Sequence, residues 1–163
     1  PILAWLWIWL SKRNLNPSAP VKFAFGVAMA GLGFLALVAG MKASGPTGLT
    51  PVLFIFLIYW IHTMGELMLS PVGLSAVTKL APARVVGMTM GAWFLYSGLS
   101  NFLAGVIART TGAETIGGQM TNVAAAKAGY IEVYSNVGYI ALGIALFMLL
   151  ISPIIKKLMH GAD

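Results

Sequence analysis

Residues 52–80 read VLFIFLIYWIHTMGELMLSPVGLSAVTKL, an apolar run long enough to cross a lipid bilayer, with a single acid, Glu66, well inside it. A spanning helix needs about 20 predominantly apolar residues. A carboxylate at the centre of such a helix costs roughly 3 kcal/mol on insertion scales, so acids at this depth usually face a cavity or a bundle interior and serve ions, protons or substrates. The run predicts a functional Glu66 and favours transport.

The composition indicates a polytopic, all-α membrane protein. Hydrophobic residues make up 59% of the chain and charged residues only 9%. The net charge of +6 does not indicate a nucleic-acid partner, because Lys and Arg cluster at the ends of apolar runs instead of forming one basic face. Cysteine is absent, which excludes a disulfide framework, a thiolate metal site and a cysteine nucleophile.

The apolar runs predict four full membrane spans, at residues 21–41, 51–80, 85–108 and 132–155. A shorter run, residues 1–10, reads as the end of another helix because it has about half the length that a span requires. It is not preceded by charged residues or followed by a small-residue cleavage site, which argues against an intact secretory signal. We therefore expect a fragment of a longer protein.

The basic residues between the spans predict the orientation, since short cytoplasmic loops are rich in Lys and Arg. Seven lie on one side and three on the other: Lys12, Arg13, Lys22, Lys79, Arg84, Lys156 and Lys157 against Lys42, Arg109 and Lys127. This asymmetry predicts a cytoplasmic carboxyl terminus, with residues 43–50 and 110–130 outside.

Three tryptophans, Trp5, Trp7 and Trp9, come just before the first basic cluster. Amphipathic rings suit the headgroup level of a bilayer. We interpret them as an interfacial anchor rather than as a ligand-stacking site.

The sequence around Glu66 concentrates polar and helix-bending residues. Ser70 lies four residues after Glu66 and so on the same helix face. Pro71 cannot donate a hydrogen bond to the carbonyl of Leu67, which predicts a kink that frees this carbonyl, and Gly73 follows directly. The segment is typical of a helix that lines a cavity and can bend.

His62, four residues before Glu66, leaves more than one interpretation open. A hydrogen-bonded packing histidine is favoured over a group that tunes the ionisation of Glu66. A metal site is disfavoured, since zinc sites generally need at least three protein ligands and the chain has no other intramembrane His or acid. Glu66 itself could pair with a base on another helix, permanently or as a switch.

The next span carries a stripe of small residues and a polar aromatic face. Gly87 and Gly91 form a GxxxG pair that Gly98 and Gly105 continue, which predicts close helix packing. Trp93 and Ser97 are one turn apart and share a face. The pattern alone does not decide whether Trp93 lines a cavity or belongs to the core.

These residues resemble a known family. Residues 66–75 follow the pattern Glu-x-x-x-Ser-Pro-x-Gly-Leu-Ser, and residues 82–95 continue with Pro82 and Gly-Met-x-Met-Gly-x-Trp-Phe-Leu. Together they resemble proton-dependent oligopeptide transporters of the major facilitator superfamily. The resemblance implies that 1–10 is the end of the eighth helix of a twelve-helix transporter, and that the four spans are helices nine to twelve. The chain would then be a partial C-terminal six-helix bundle.

The resemblance also implies roles for single residues. The family's acid at the position of Glu66 holds the peptide's amino terminus, or a lysine of the first half when the site is empty. Ser70 would stand beside it. The aromatic at the position of Trp93 lines the side-chain pocket, and Ser97 follows one turn later. Pro71, together with Gly73, would let the helix bend at the cytoplasmic gate.

The function expected from the resemblance is proton-coupled symport of di- and tripeptides by alternating access in a bacterial cytoplasmic membrane. We expect no enzymatic reaction, no metal and no cofactor other than the coupling proton, with the lipid bilayer and the missing N-terminal half as partners. The alternatives are a drug or sugar transporter of the same superfamily and a membrane anchor or assembly subunit, one variant of which would bind haem through His62. An intramembrane hydrolase is disfavoured because Glu66 lacks a second acid and no Ser-His pair has suitable spacing.

Overall fold

The computed structural model describes residues 2–13, 16–46, 48–110, 115–116, 119–120 and 122–159. Its helices are α1 (Ile2–Lys12), α2 (Ala19–Ala43), α3 (Val52–Leu80), α4 (Val86–Arg109) and α5 (Val123–Leu158), and a 3-10 turn, Ala83–Val85, leads into α4. Two short strands, β1 (Thr115–Ile116) and β2 (Gln119–Met120), pair antiparallel between α4 and α5. Helices α2, α3 and α5, and α4 with its leading turn, are each long and apolar enough to cross a membrane. The all-α membrane class predicted from composition is therefore confirmed.

The last helix is longer than the predicted range 132–155. It begins at Val123, inside the segment that we expected to be a loop, and continues to Leu158. The side chain of Asn122 caps its first turn by accepting a 3.0 Å hydrogen bond from the backbone N–H of Ala125. Alanine has the highest helix propensity, and residues 124–126 and 128 are alanine, so this stretch extends the helix.

Helix α2 is the centre of the bundle, because it packs against both α3 and α5. A Cβ added at Gly26 would lie 2.9 Å from the carbonyl oxygen of Gly65 on α3. A Cβ added at Gly31 would lie 2.8 Å from the carbonyl oxygen of Gly138 on α5. Glycine thus lets two backbones approach α2 directly, as is common where membrane helices pack.

Lys127 joins the ends of α2 and α5. Its side chain is only 8% exposed, and its ammonium group donates to the hydroxyl of Ser44 (2.7 Å) and to the carbonyls of Gly45 (2.6 Å) and Gly48 (2.7 Å). A cation beside the last carbonyls of a helix also interacts favourably with the helix dipole. From the sequence, Lys127 was interpreted only as one of the basic residues that indicate the orientation of the chain in the membrane. In the structure it connects two helices.

Helix α4 is only lightly attached to the bundle. It packs against α3, and none of its residues is buried. Its predicted packing glycines have open space around them in the described part of the chain, since a Cβ at any of the four would meet nothing within 4 Å: Gly87, Gly91, Gly98 and Gly105. The close helix contact that their spacing predicts is not made with any described segment.

Candidate functional site

Glu66 is exposed on α3, beside the surface that packs on α2. The preceding residue, Gly65, is buried against α2. Consecutive residues of an α-helix are about 100° apart around its axis, so the carboxylate is turned away from that contact. Within the described residues no ion pair joins Glu66 to a base of another helix. The carboxylate is therefore accessible from the open side of α3.

Ser70 and Pro71 lie one turn further along the same helix. Ser70 is half-buried, whereas Pro71 is exposed and lies inside a helix that continues to Leu80. Proline has no N–H, so the carbonyl of Leu67 lacks its usual helical donor. The structure thus places an acid, a hydroxyl and an acceptor carbonyl within one turn of α3.

Trp93 on α4 packs against Gly73 on α3. A Cβ added at Gly73 would overlap the Cη2 atom of the indole and lie 2.8 Å from Cζ2 and Cζ3. Gly73 is buried and Trp93 is half-buried. The absence of a side chain at Gly73 therefore makes room for the ring and brings two of the predicted site residues together.

Ser97 lies one turn after Trp93 on α4. Its hydroxyl donates to the backbone carbonyl of Trp93 at 3.3 Å, and the side chain is exposed. A hydroxyl that bonds its own helix at this distance remains able to accept a hydrogen bond from a ligand. This bond is consistent with the shared face that the spacing of Trp93 and Ser97 predicts.

The indole of Trp93 also borders an apolar groove of about 350 Å³ between α3 and α4. The groove is lined by Phe23, Gly73, Ala76, Val77, Leu80, Ala81, Thr89 and Trp93. The sequence left two interpretations of Trp93 open, a core residue and a cavity-lining residue. Trp93 packs against Gly73 and also lines this groove, so each interpretation describes part of its surroundings. Glu66 is not among the residues that line the groove, so the described segments do not place Glu66 and Trp93 in one cavity.

His62 connects α3 to α2. Its Nε2 atom lies 3.0 Å from the carbonyl oxygen of Ala30, and because a carbonyl only accepts, Nε2 carries the hydrogen and donates. The ring meets Phe34 edge to face with centroids 4.8 Å apart, and it fills the space beside Gly33. The packing role favoured for this histidine is confirmed.

Sequence reasoning missed the residues that make these contacts possible. Gly26, Gly33 and Gly40 recur every seven residues on α2, which places them on one helix face, and they meet α3 at Gly65, His62 and Phe54 respectively. That spacing was the available signal. No comparable pattern in the sequence indicates that Trp93 packs against Gly73, because this contact depends on how α4 crosses α3.

A protein-family model described as PTR2, POT family, matches residues 1–124. The chain is 34% identical over 164 residues to dipeptide and tripeptide permease B of Aliivibrio fischeri, covering 100% of this chain and 32% of that protein. It is 37% identical over 161 residues to the uncharacterized transporter YclF of Bacillus subtilis, covering 99% of this chain and 29% of the relative. The chain thus spans about a third of the length of these relatives.

Solved structures give a similar result. The fold matches a crystal structure of peptide transporter POT in complex with sulfate, with a TM-score of 0.82 and 36% identity over 99% of this chain and 29% of that one. A mutant of peptide transporter POT in complex with alafosfalin matches with a TM-score of 0.70 and 35% identity, over 99% of this chain and 30% of that one. In both comparisons nearly the whole of this chain corresponds to less than a third of a transporter.

Proposed function

This chain belongs to the POT family, and on that premise we propose that it is part of a transporter that carries di- and tripeptides across a membrane together with protons. The observation that carries the proposal is the accessible carboxylate of Glu66, within an apolar helix long enough to span the bilayer and inside the region that the family model matches. Relatives named as dipeptide and tripeptide permeases support the substrate class. No bond is broken in this function, so the protein is not an enzyme.

Glu66 is proposed to bind the positively charged amino terminus of the peptide. A carboxylate and an ammonium group form a charge-assisted hydrogen bond, which is stronger than a neutral one. Ser70, one turn away on the same face, supplies a hydroxyl that can orient either partner. The carboxyl terminus of the peptide then requires positive charge from another part of the transporter.

Trp93 and Ser97 are proposed to contact the side chain of the peptide. The indole borders an apolar groove, and an apolar wall with few polar groups is typical of small-molecule sites. The hydroxyl of Ser97, exposed at one end of this face, would contact polar atoms of the substrate. We propose that movement of α4 relative to α3 brings this face toward Glu66.

Alternating access requires helices that bend or rock around the site. Pro71 removes one backbone hydrogen bond in the second half of α3, and the turn Ala83–Val85 that joins α3 to α4 is short. We propose that α3 bends near Pro71 and Gly73, that Trp93 moves with it, and that binding of peptide and proton shifts the equilibrium between the two facing states.

The whole protein is proposed to have the twelve-helix architecture of the major facilitator superfamily and to lie in a bacterial cytoplasmic membrane. The excess of basic residues at one end of the spans supports a cytoplasmic carboxyl terminus. The coupling ion is a proton, and no other cofactor is needed.

The experiment that tests the substrate class is uptake of labelled dialanine into proteoliposomes that contain the full-length transporter. Uptake that is driven by an inward proton gradient, and that unlabelled di- and tripeptides compete with better than a tetrapeptide or a sugar, is the expected result. A correctly folded protein that shows no gradient-driven dipeptide uptake, but transports a sugar or exports a drug, would overturn the assignment.

A further inference from the structure

The contact between Gly73 and Trp93 fixes the register of α3 and α4, which run antiparallel on either side of the short link 81–85. Moving away from the link, α3 reaches Glu66 seven residues from Gly73, and α4 reaches Asn101 eight residues from Trp93. At 1.5 Å per residue these steps are about 10.5 Å and about 12 Å along the helix axes. Asn101 therefore lies at nearly the same depth in the membrane as Glu66.

Asn101 and Glu66 also lie on the same side of the plane that contains the two helix axes. Each residue of a right-handed α-helix is turned by about 100° from the one before it. Counted from the Gly73–Trp93 contact, Glu66 is turned by about 20° and Asn101 by about 80°, both to the same side of this plane. Gly65, which packs against α2, is turned to the opposite side. The amide and the carboxylate thus share the side of α3 and α4 that faces away from α2.

The amide of Asn101 offers a hydrogen-bond acceptor. Its Nδ2 atom donates to the backbone carbonyl of Ser97 at 3.1 Å. Because a carbonyl only accepts, this bond fixes the nitrogen at that end of the amide and places Oδ1 at the other end. The side chain is exposed, and no residue in the described part of the chain donates to Oδ1. An amide oxygen without a donor is unfavourable inside a spanning helix, so this atom requires a partner or water.

We propose that Oδ1 of Asn101 accepts a hydrogen bond from the same peptide amino terminus that Glu66 binds. A primary ammonium group has three N–H donors, and a carboxylate that pairs with one or two of them leaves at least one for another acceptor. Glu66 supplies the opposite charge, so a neutral oxygen at the same depth completes the site without adding a second acid. A hydrogen bond to a charged donor is stronger than one between neutral groups. This inference rests on the proposed function and adds a residue of α4 to its ammonium site.

The test compares two ligands of the purified full-length transporter, dialanine and dialanine with a dimethylated amino group. The second ligand keeps the positive charge that pairs with Glu66 but has a single N–H donor. The variant Asn101→Leu removes the amide at similar volume. The matched control is Ser100→Ala, which removes a hydroxyl at the same depth that donates to its own helix, at the carbonyl of Tyr96 (2.8 Å), and is turned toward the side of α2. The variant Asn101→Asp keeps an acceptor oxygen at this position.

We expect Asn101→Leu to weaken binding of dialanine by about ten-fold and to leave binding of the dimethylated peptide unchanged, with both affinities unchanged in Ser100→Ala. Equal weakening for the two ligands would overturn the proposal, because it is the result expected if Asn101 only packs against another helix.

Asn101→Asp should bind dialanine at least as tightly as the wild type, and this variant decides the matter if Asn101→Leu does not fold. A loss of dialanine binding in Asn101→Asp would overturn the proposal. Dialanine binding that depends on Glu66 but not on Asn101 would overturn this inference alone, whereas a folded wild-type protein that does not bind dialanine would overturn the proposed function as well.

Discussion

The indole of Trp93 occupies the space on α3 that a side chain at Gly73 would fill. This contact is part of the limited packing between α3 and α4, so the position of the aromatic ring depends on the absence of a Cβ on the neighbouring helix. If Trp93 contacts the peptide side chain, a substitution of Gly73 changes substrate binding indirectly, by moving the indole, although residue 73 does not itself contact the substrate. The relationship therefore connects a packing residue to the proposed specificity of the transporter.

Replacing Gly73 by Ala is expected to displace the indole and to weaken uptake of dipeptides with large apolar side chains more than uptake of dialanine. Atoms added to a packed core typically lower the free energy of unfolding by about 1–3 kcal/mol. Because the indole is the far end of a side chain and can move, we expect a loss at the low end of this range. Competition for labelled dialanine uptake by diphenylalanine measures the effect. Gly91→Ala, where a Cβ meets nothing within 4 Å among the described residues, is the matched control. Identical competition in both variants would contradict the role given to Trp93.

Replacing Gly26 by Ala is expected to destabilise the bundle more than the change at Gly73. The new Cβ would lie 2.9 Å from the carbonyl oxygen of Gly65, and because that atom belongs to a helix backbone the two helices must separate. The free energy of unfolding should fall by about 1–3 kcal/mol. Thermal unfolding of the purified protein checks this.

The matched control for Gly26→Ala is Gly143→Ala on α5, where a Cβ has no neighbour within 4 Å among the described residues. We expect its midpoint to remain close to that of the wild type. A control variant as unstable as Gly26→Ala would show that the loss does not come from the crossing of α2 and α3.

Substituting Lys127 by Met should loosen the ends of α2 and α5. The change removes three hydrogen bonds from a charged donor and leaves two backbone carbonyls and the Ser44 hydroxyl without this partner. Hydrogen bonds to charged groups contribute more than neutral ones, so we expect a loss of at least about 2 kcal/mol. Lys42→Met, an exposed lysine in the last turn of α2, should change stability by less than about 0.5 kcal/mol. Similar unfolding midpoints for the two variants would exclude a structural role for Lys127.

His62→Leu distinguishes the packing role of this histidine from a role in proton transfer. Losing the hydrogen bond to the carbonyl of Ala30 should cost about 1 kcal/mol of stability. Since the bond is structural, the dependence of peptide uptake on external pH should keep its midpoint. His62→Gln, which retains an N–H donor, should recover part of the stability. A shifted pH midpoint in both variants would instead indicate that His62 tunes the coupling proton.

The sequence predicted those features that depend on composition and local pattern. Apolar length located the spans, and the position of Glu66 in one of them singled out an exposed acid that the fold keeps clear of the α2 contact. Local spacing also predicts a shared face for Trp93 and Ser97, and at this one-turn spacing the Ser97 hydroxyl donates to the backbone carbonyl of Trp93. These properties need no knowledge of which helices are neighbours.

Features that depend on helix neighbours were not predictable in this way. The acceptors of Lys127 lie about 80 residues earlier in the chain, so no local pattern indicates that this lysine is buried. Likewise, the GxxxG spacing at Gly87 and Gly91 predicts a face that allows close approach, but no described segment approaches it, and the spacing does not say which helix would. Tertiary contacts decide both cases.

The central claim is that Glu66 binds the amino terminus of the peptide, and the affinity of the full-length transporter for dialanine tests it most directly. Removing one member of a charge pair that binding buries typically costs about 2–5 kcal/mol, so Glu66→Gln should weaken dialanine binding by at least about 30-fold. Glu132→Gln, which neutralises an exposed acid on α5, should leave the affinity unchanged. Wild-type affinity for dialanine in a folded Glu66→Gln protein would contradict the account.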